Sequence, residues 1–209
     1  MKEIRQLIRE MLLSEAAFQP SDLPPGVYVE IAETDNDVSV RYCDKEGQAF
    51  DSSRAPFYGV VSMSSKTRSR GKCSGAFTVY WAKAAHGYGP LLYDVLIEFA
   101  SELGRGVTPD RHEVSSAAKK VWSYYFNNRS DITRKILDYE EEPFITPDDK
   151  FDDCESKVVE FDWEEGQVEG TGTTWEDYYK SSPLNYVYFS KGTPTIDKLR
   201  AAGKLYERN

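Results

Sequence analysis

The stretch Ala76–Leu103, AFTVYWAKAAHGYGPLLYDVLIEFASEL, changes character halfway along. Ala76 to Ala84 is rich in aromatic residues and reads as a strand. Leu91, Leu92, Val95, Leu96, Phe99 and Leu103 then recur at helical spacing on one apolar side, which ends at Gly104. The run Ala84-Ala85-His86-Gly87-Tyr88-Gly89-Pro90 joins the two. Its glycines let the backbone approach a ligand without interference from a Cβ, and Pro90 suits a first helical position, where its missing N–H would have no partner anyway. Positions 90 to 92 bring no side-chain acceptor to cap the helix. Amides and the positive dipole end are thus left to an anion the size of a pyrophosphate. An ordinary tight strand-to-helix turn carries the same pattern.

Working outward, the alternation of Val27, Val29, Ile31 and of Val38, Val40, Tyr42 around Thr34-Asp35-Asn36-Asp37 predicts a hairpin, and Tyr58 to Met63 a further strand. After Gly104 come a short strand around Gly106 to Thr108 and a helix with Val114, Ala117, Ala118, Val121, Trp122 and Tyr125 on one side. A shorter helix is expected from Ser130 as N-cap through Ile132, Ile136 and Leu137. Asn185 to Phe189 reads as a late strand and Ile196 to Tyr206 as a terminal helix. The order predicts an α/β fold with a mixed, mostly antiparallel sheet flanked by helices.

At the other end, Ile4, Leu7, Ile8, Met11 and Leu12 make the apolar stripe of a separate amphipathic helix. The prolines of Gln19 to Gly26 stop it. The expected organisation is therefore a helix over 1–16, a linker over 17–26 and a domain over 27–209 that contains an acidic insertion near 138–178.

Charge is distributed unevenly. The net charge is −9, yet Asp138 to Asp177 holds sixteen Asp and Glu against Lys150 and Lys157, a net of −14 that leaves +5 for the rest. The acidic stretch is either a solvated loop or a surface for a cationic partner such as an amine substrate. Lys66, Arg68, Arg70 and Lys72 form a basic loop that could meet phosphates, but the overall charge disfavours nucleic acid as a partner. Cys43, Cys73 and Cys154 make no C-x-x-C pair or His/Cys cluster, so no structural metal is expected. No apolar run is long enough to cross a membrane and no secretory pattern is present.

From Tyr58 to Asn128, about a third of the chain, the order of elements resembles the GNAT family of N-acyltransferases, in which a central strand enters an R/Q-x-x-G-x-G/A turn that binds the pyrophosphate of acetyl-CoA. Gly87 and Gly89 match the two glycines, while Ala84 stands at the Arg/Gln position. The resemblance implies acetyl-CoA or a related acyl-CoA as cofactor, held by Ala84, Ala85, His86, Gly87, Tyr88, Gly89 and Leu91. In the next helix the family often shows N-x-x-A-x-x-x-Y, its Tyr acting as acid to the leaving thiolate. The match here is Ser115-x-x-Ala118-x-x-x-Trp122, and Trp cannot donate that proton. Tyr125 could substitute as the acid, or serve as a core aromatic. His86 could act as base or touch a phosphate, and His112, Asp110 and Glu113 are further candidates for the base.

The segment MKEIRQLIREMLLSEAA has an independent resemblance, to the capsid-targeting segments of T-even-type tailed phages, which are cut after an L/I-x-E site. Leu13-Ser14-Glu15 followed by Ala16 fits. The implied partners of residues 1–16 are phage scaffold or capsid proteins, and the implied locations are the host cytoplasm and the virion. With both resemblances the expectation is a phage acyltransferase, or a non-catalytic internal or structural virion protein on the same scaffold.

Overall fold

The computed structural model describes residues 19–50, 56–65, 75–110, 113–137 and 179–208. The expected N-terminal helix and its Glu15–Ala16 junction, the expected basic loop, His112, Cys73, Cys154 and the acidic stretch lie outside the described residues.

β1 (Tyr28–Glu33) and β2 (Asp37–Cys43) form the predicted hairpin, in register from Tyr28 opposite Cys43 to Glu33 opposite Val38. Its turn closes where the Thr34 amide donates to the Asp37 carbonyl at 2.9 Å. β3 (Gly59–Ser64), β4 (Phe77–Ala84), β5 (Val107–Thr108), β6 (Ile132–Ile136), β7 (Tyr186–Ser190) and β8 (Leu205–Arg208) complete a sheet of order β6-β7-β5-β4-β3-β2-β1-β8. β4 with β5 and β1 with β8 are parallel pairs, whereas β1/β2, β5/β7 and β6/β7 are antiparallel. A parallel pair needs a long crossover, and α1 (Gly89–Glu102) supplies it between β4 and β5. α2 (Ser116–Asn128) precedes β6, and α3 (Pro194–Ala201) joins β7 to β8. The expected mixed α/β architecture is present.

The chain divides into two compact units, Met1–Ser62 with Trp81–Phe99 and Thr193–Asn209, and Met63–Tyr80 with Ala100–Gly192. In the first, Val38, Val40 and Tyr42 alternate inward along β2, and Leu92, Val95 and Leu96 of α1 and Ile196 and Leu199 of α3 are buried. Glu30 of β1, fully buried, is paired with Arg41 of β2 and Arg208 of β8, so one carboxylate ties three strands. The segment after Gln19 is anchored here rather than free. Pro20 and Leu23 are buried, and the Lys204 ammonium donates to the carbonyls of Pro24 and Val27 at 3.5 and 3.1 Å.

In the second unit Trp122 and Tyr125 of α2 pack on Tyr188 of β7. Gly106 sits so close to β7 that a Cβ there would lie 2.4 Å from Val187 Cγ2. Only glycine fits that approach.

Two sequence expectations need correction. Residues 132–136 are a strand, not a helix begun by Ser130. Ile132 and Ile136 are four apart, a spacing that puts them on one side of a helix and equally on one face of a strand, and the ladder to β7 decides the outcome. The last helix stops at Ala201, and Tyr206 belongs to β8. Gly203, at φ +62°, ends it in a Schellman motif, with Lys204 N–H donating to Leu199 O at 2.8 Å and Gly203 N–H to Arg200 O at 3.0 Å.

Candidate functional site

β5 ends at Thr108, so its pairing with β4 stops at Thr78. Further along β4, Trp81, Ala82, Lys83 and Ala84 are all exposed although the strand lies in the middle of the sheet order, and Trp81 is 55% exposed. The strand thus ends on an open surface at the Gly-Tyr-Gly turn.

Each residue of that turn has a definable place. The Ala85 amide donates to Tyr58 O at 2.8 Å, and the Tyr88 amide closes back on Ala85 O at 3.1 Å. His86 and Gly87 are therefore the central pair of a β-turn, and Gly87, at φ +84°, takes the position that a type II turn reserves for glycine. His86 is exposed at its tip. Gly89 opens α1 without positive φ, and a Cβ there would meet Ala84 Cβ at 3.6 Å, an ordinary contact. The two glycines are thus unequal: the backbone requires Gly87 and merely accepts Gly89. The Leu91 side chain is buried, so only its backbone could face a ligand.

What holds the turn comes from far along the chain. The Tyr42 hydroxyl donates to Tyr88 O at 2.8 Å, across 46 residues. The Tyr88 ring packs on Tyr58 at 4.9 Å and edge-on to Tyr42 at 5.3 Å, and Phe50 packs on Tyr58 at 5.0 Å. Burial pushes the Tyr42 phenol far up, and it stays a neutral donor. Burial also raises Tyr88, with Tyr58 adding to the shift. Sequence reading missed Tyr42 and Tyr58 because no local pattern links them to residue 88.

Electrostatically, the first turn of α1 carries no acidic residue of its own to offset its positive end. The amides of a first helical turn have no intrahelical acceptor. A rigid turn before a helix N-terminus can hold an anion by its backbone.

The other named residues fall elsewhere. Tyr125 lies in the second unit, 2% exposed, between Trp122 and Tyr188 at 6.2 and 6.5 Å, with the Arg129 guanidinium 5.2 Å from its ring. Ser115 is the N-cap of α2, its side chain accepting from Ala118 N–H at 3.2 Å. Asp110 accepts the Glu113 amide at 3.2 Å in the loop before that helix. Among the described residues no group of His, Cys, Asp and Glu could hold a metal, and no helix is long and apolar enough to cross a membrane. Compared with family models, with curated proteins and with solved structures, the chain has no match.

Proposed function

We propose that the chain is a GNAT-like protein that binds an acyl-CoA at the turn Ala84–Leu91 and transfers its acyl group to an amine. The observation that carries the reading is the open end of β4, which runs through a rigid type II turn into a helix start free of acidic residues. A pyrophosphate meets the helix amides there, and the exposed strand end from Trp81 to Ala84 offers backbone groups to the amide-bearing arm of the same cofactor. The element order around it, strand, turn, crossover helix, short parallel strand and second helix, is that of the GNAT resemblance.

In the transfer, the neutral amine attacks the thioester carbonyl carbon and forms the C–N bond, the C–S bond breaks with its electron pair going to the thiolate, the nitrogen releases a proton to solvent, and the thiolate takes one up. His86, exposed beside the cofactor's phosphates, contributes as a contact to them. Tyr125 packs in a core, and the residue four positions from Ala118 is the buried Trp122. Proton return to the thiolate is therefore assigned to solvent, which makes the reaction slow.

Calorimetry and thermal shift with acetyl-CoA test the reading. A ligand at about 100 times its dissociation constant adds about 2.7 kcal/mol of stability. Millimolar acetyl-CoA should raise the melting temperature and release heat; if neither occurs, the cofactor reading fails. Binding without transfer to any amine would leave the second reading, an internal virion protein on the same scaffold, which the buried Trp122 and Tyr125 favour.

A further inference from the structure

β6 is the outermost strand at one end of the sheet, and its register says which backbone groups face outward. Lys191 N–H donates to Asp131 O and Leu137 N–H to Asn185 O, so the hydrogen-bonded pairs with β7 are those of residues 131, 133, 135 and 137. The intervening Ile132, Arg134 and Ile136 are opposite Ser190, Tyr188 and Tyr186 as non-bonded pairs. Their N–H and C=O groups point away from the sheet, and the Ser190 amide on the partner strand turns the other way, to Ser101 Oγ at 2.8 Å. No strand among the described residues covers this edge.

The edge has a charge as well as a hydrogen-bonding pattern. Thr133, Arg134 and Lys135 are exposed. The Arg134 guanidinium lies 4.1 Å from the Phe126 ring centroid and 5.9 Å from that of Tyr186, which fixes its position, and no carboxylate among the described residues pairs with it. Asp131, the acidic residue at the start of the strand, is already neutralised by Arg129 at 2.6 Å. An open groove of about 510 Å³, lined by Phe126 to Ser130 with Ile132, Thr133 and Arg134, runs beside the strand.

We propose that the outer edge of β6 docks an extended peptide segment of another protein, which pairs with the backbone of Ile132, Arg134 and Ile136 and sets a Glu or Asp side chain against Arg134. Strand addition supplies the main-chain bonds and the cross-strand charge supplies the choice of partner. A second copy is the wrong occupant. Antiparallel self-pairing centred on Arg134 would bring two guanidinium groups face to face, and like charges directly opposite destabilise a sheet.

Residue-resolved hydrogen exchange on the full chain tests the proposal, with a synthetic pentapeptide probe, Thr-Val-Glu-Val-Thr, and its Glu-to-Lys counterpart at millimolar concentration. The glutamate probe should slow exchange of the Ile132, Arg134 and Ile136 amides while those of Thr133 and Lys135, already bonded to β7, stay as they were. It should bind about two- to fivefold tighter than the lysine probe, the range of a cross-strand ion pair. In R134E the preference should reverse, and binding of the lysine probe by that variant would show that the edge is still folded. The proposal is overturned if neither probe protects the three amides, if both do so equally, or if the amides are already as protected as Thr133 in the protein alone.

Discussion

At the scale of the residue, the turn between β4 and α1 separates two kinds of glycine. Gly87 holds φ +84° at the third position of a type II turn, where a Cβ costs about 1–2 kcal/mol. Gly89 has no such constraint, and its added methyl would rest on Ala84. Gly87→Ala should therefore lower the melting temperature and weaken acetyl-CoA binding together, whereas Gly89→Ala should leave stability within about 0.5 kcal/mol of the parent. Parallel melts and titrations of the two variants check this; equal effects would show that the backbone conformation is not what the turn contributes. The pair G-x-G was visible in the sequence, but not this difference between its members, because φ is set by the closing bond from Tyr88 to Ala85 and by a tyrosine 46 residues earlier.

At the scale of the element, helix ends were legible where they depend on local chemistry. Gly104, at φ +69°, ends α1 in a Schellman motif, with Arg105 N–H on Ala100 O, as its position after the apolar stripe predicts. The start of α2 was not read: Ser115 caps it, so Val114, expected on the helix's apolar side, precedes the helix. β6 and β8 were not legible, since each is a strand only by virtue of a neighbour distant in the chain. The start of α3 also depends on a distant residue. The buried carboxylate of Glu98 on α1 accepts the amides of Thr195 at 2.9 and 3.0 Å and of Ile196 at 2.8 Å. Burial raises its pKa above the ordinary glutamate value and outweighs those amides, which pull it down. The folded state consequently binds this proton more tightly than the unfolded chain. The resulting stabilisation is complete below the ordinary glutamate range, about pH 4.3, and is lost as pH rises through the raised value. Comparing melting temperatures across pH, the parent should lose stability relative to E98Q, which cannot ionise, from that range upward. Glu98→Ala, which strips the amides of their acceptor, should cost about 1–3 kcal/mol at any pH. A parallel pH course for the parent and E98Q would refute the assignment.

At the scale of the whole molecule, the question is what a cut after Glu15 would do. Residues 1–15 hold Lys2, Arg5 and Arg9 against Glu3, Glu10 and Glu15, so their removal leaves the net charge at −9. Only Ala16 to Phe18 separate that junction from Gln19, whose amide donates to Asp22 Oδ2 at 3.0 Å, and from the buried Pro20. From there to Val27 the chain is fastened to the first unit by Leu23 and by Lys204. Proteolysis at Glu15–Ala16 would thus remove the apolar stripe of Ile4, Leu7, Ile8, Met11 and Leu12 and stop short of every anchored residue. If the segment is a capsid-targeting peptide, mass spectrometry of mature phage particles should find the chain beginning at Ala16, while chromatography by charge would not distinguish it from the intact form. A chain made to start at Ala16 should melt within about 0.5 kcal/mol of the full-length protein, because no described contact is lost. An intact Met1 in the particle would exclude the targeting role. A marked loss of stability on truncation would instead assign the helix to the folded domain, with its apolar face supporting the core.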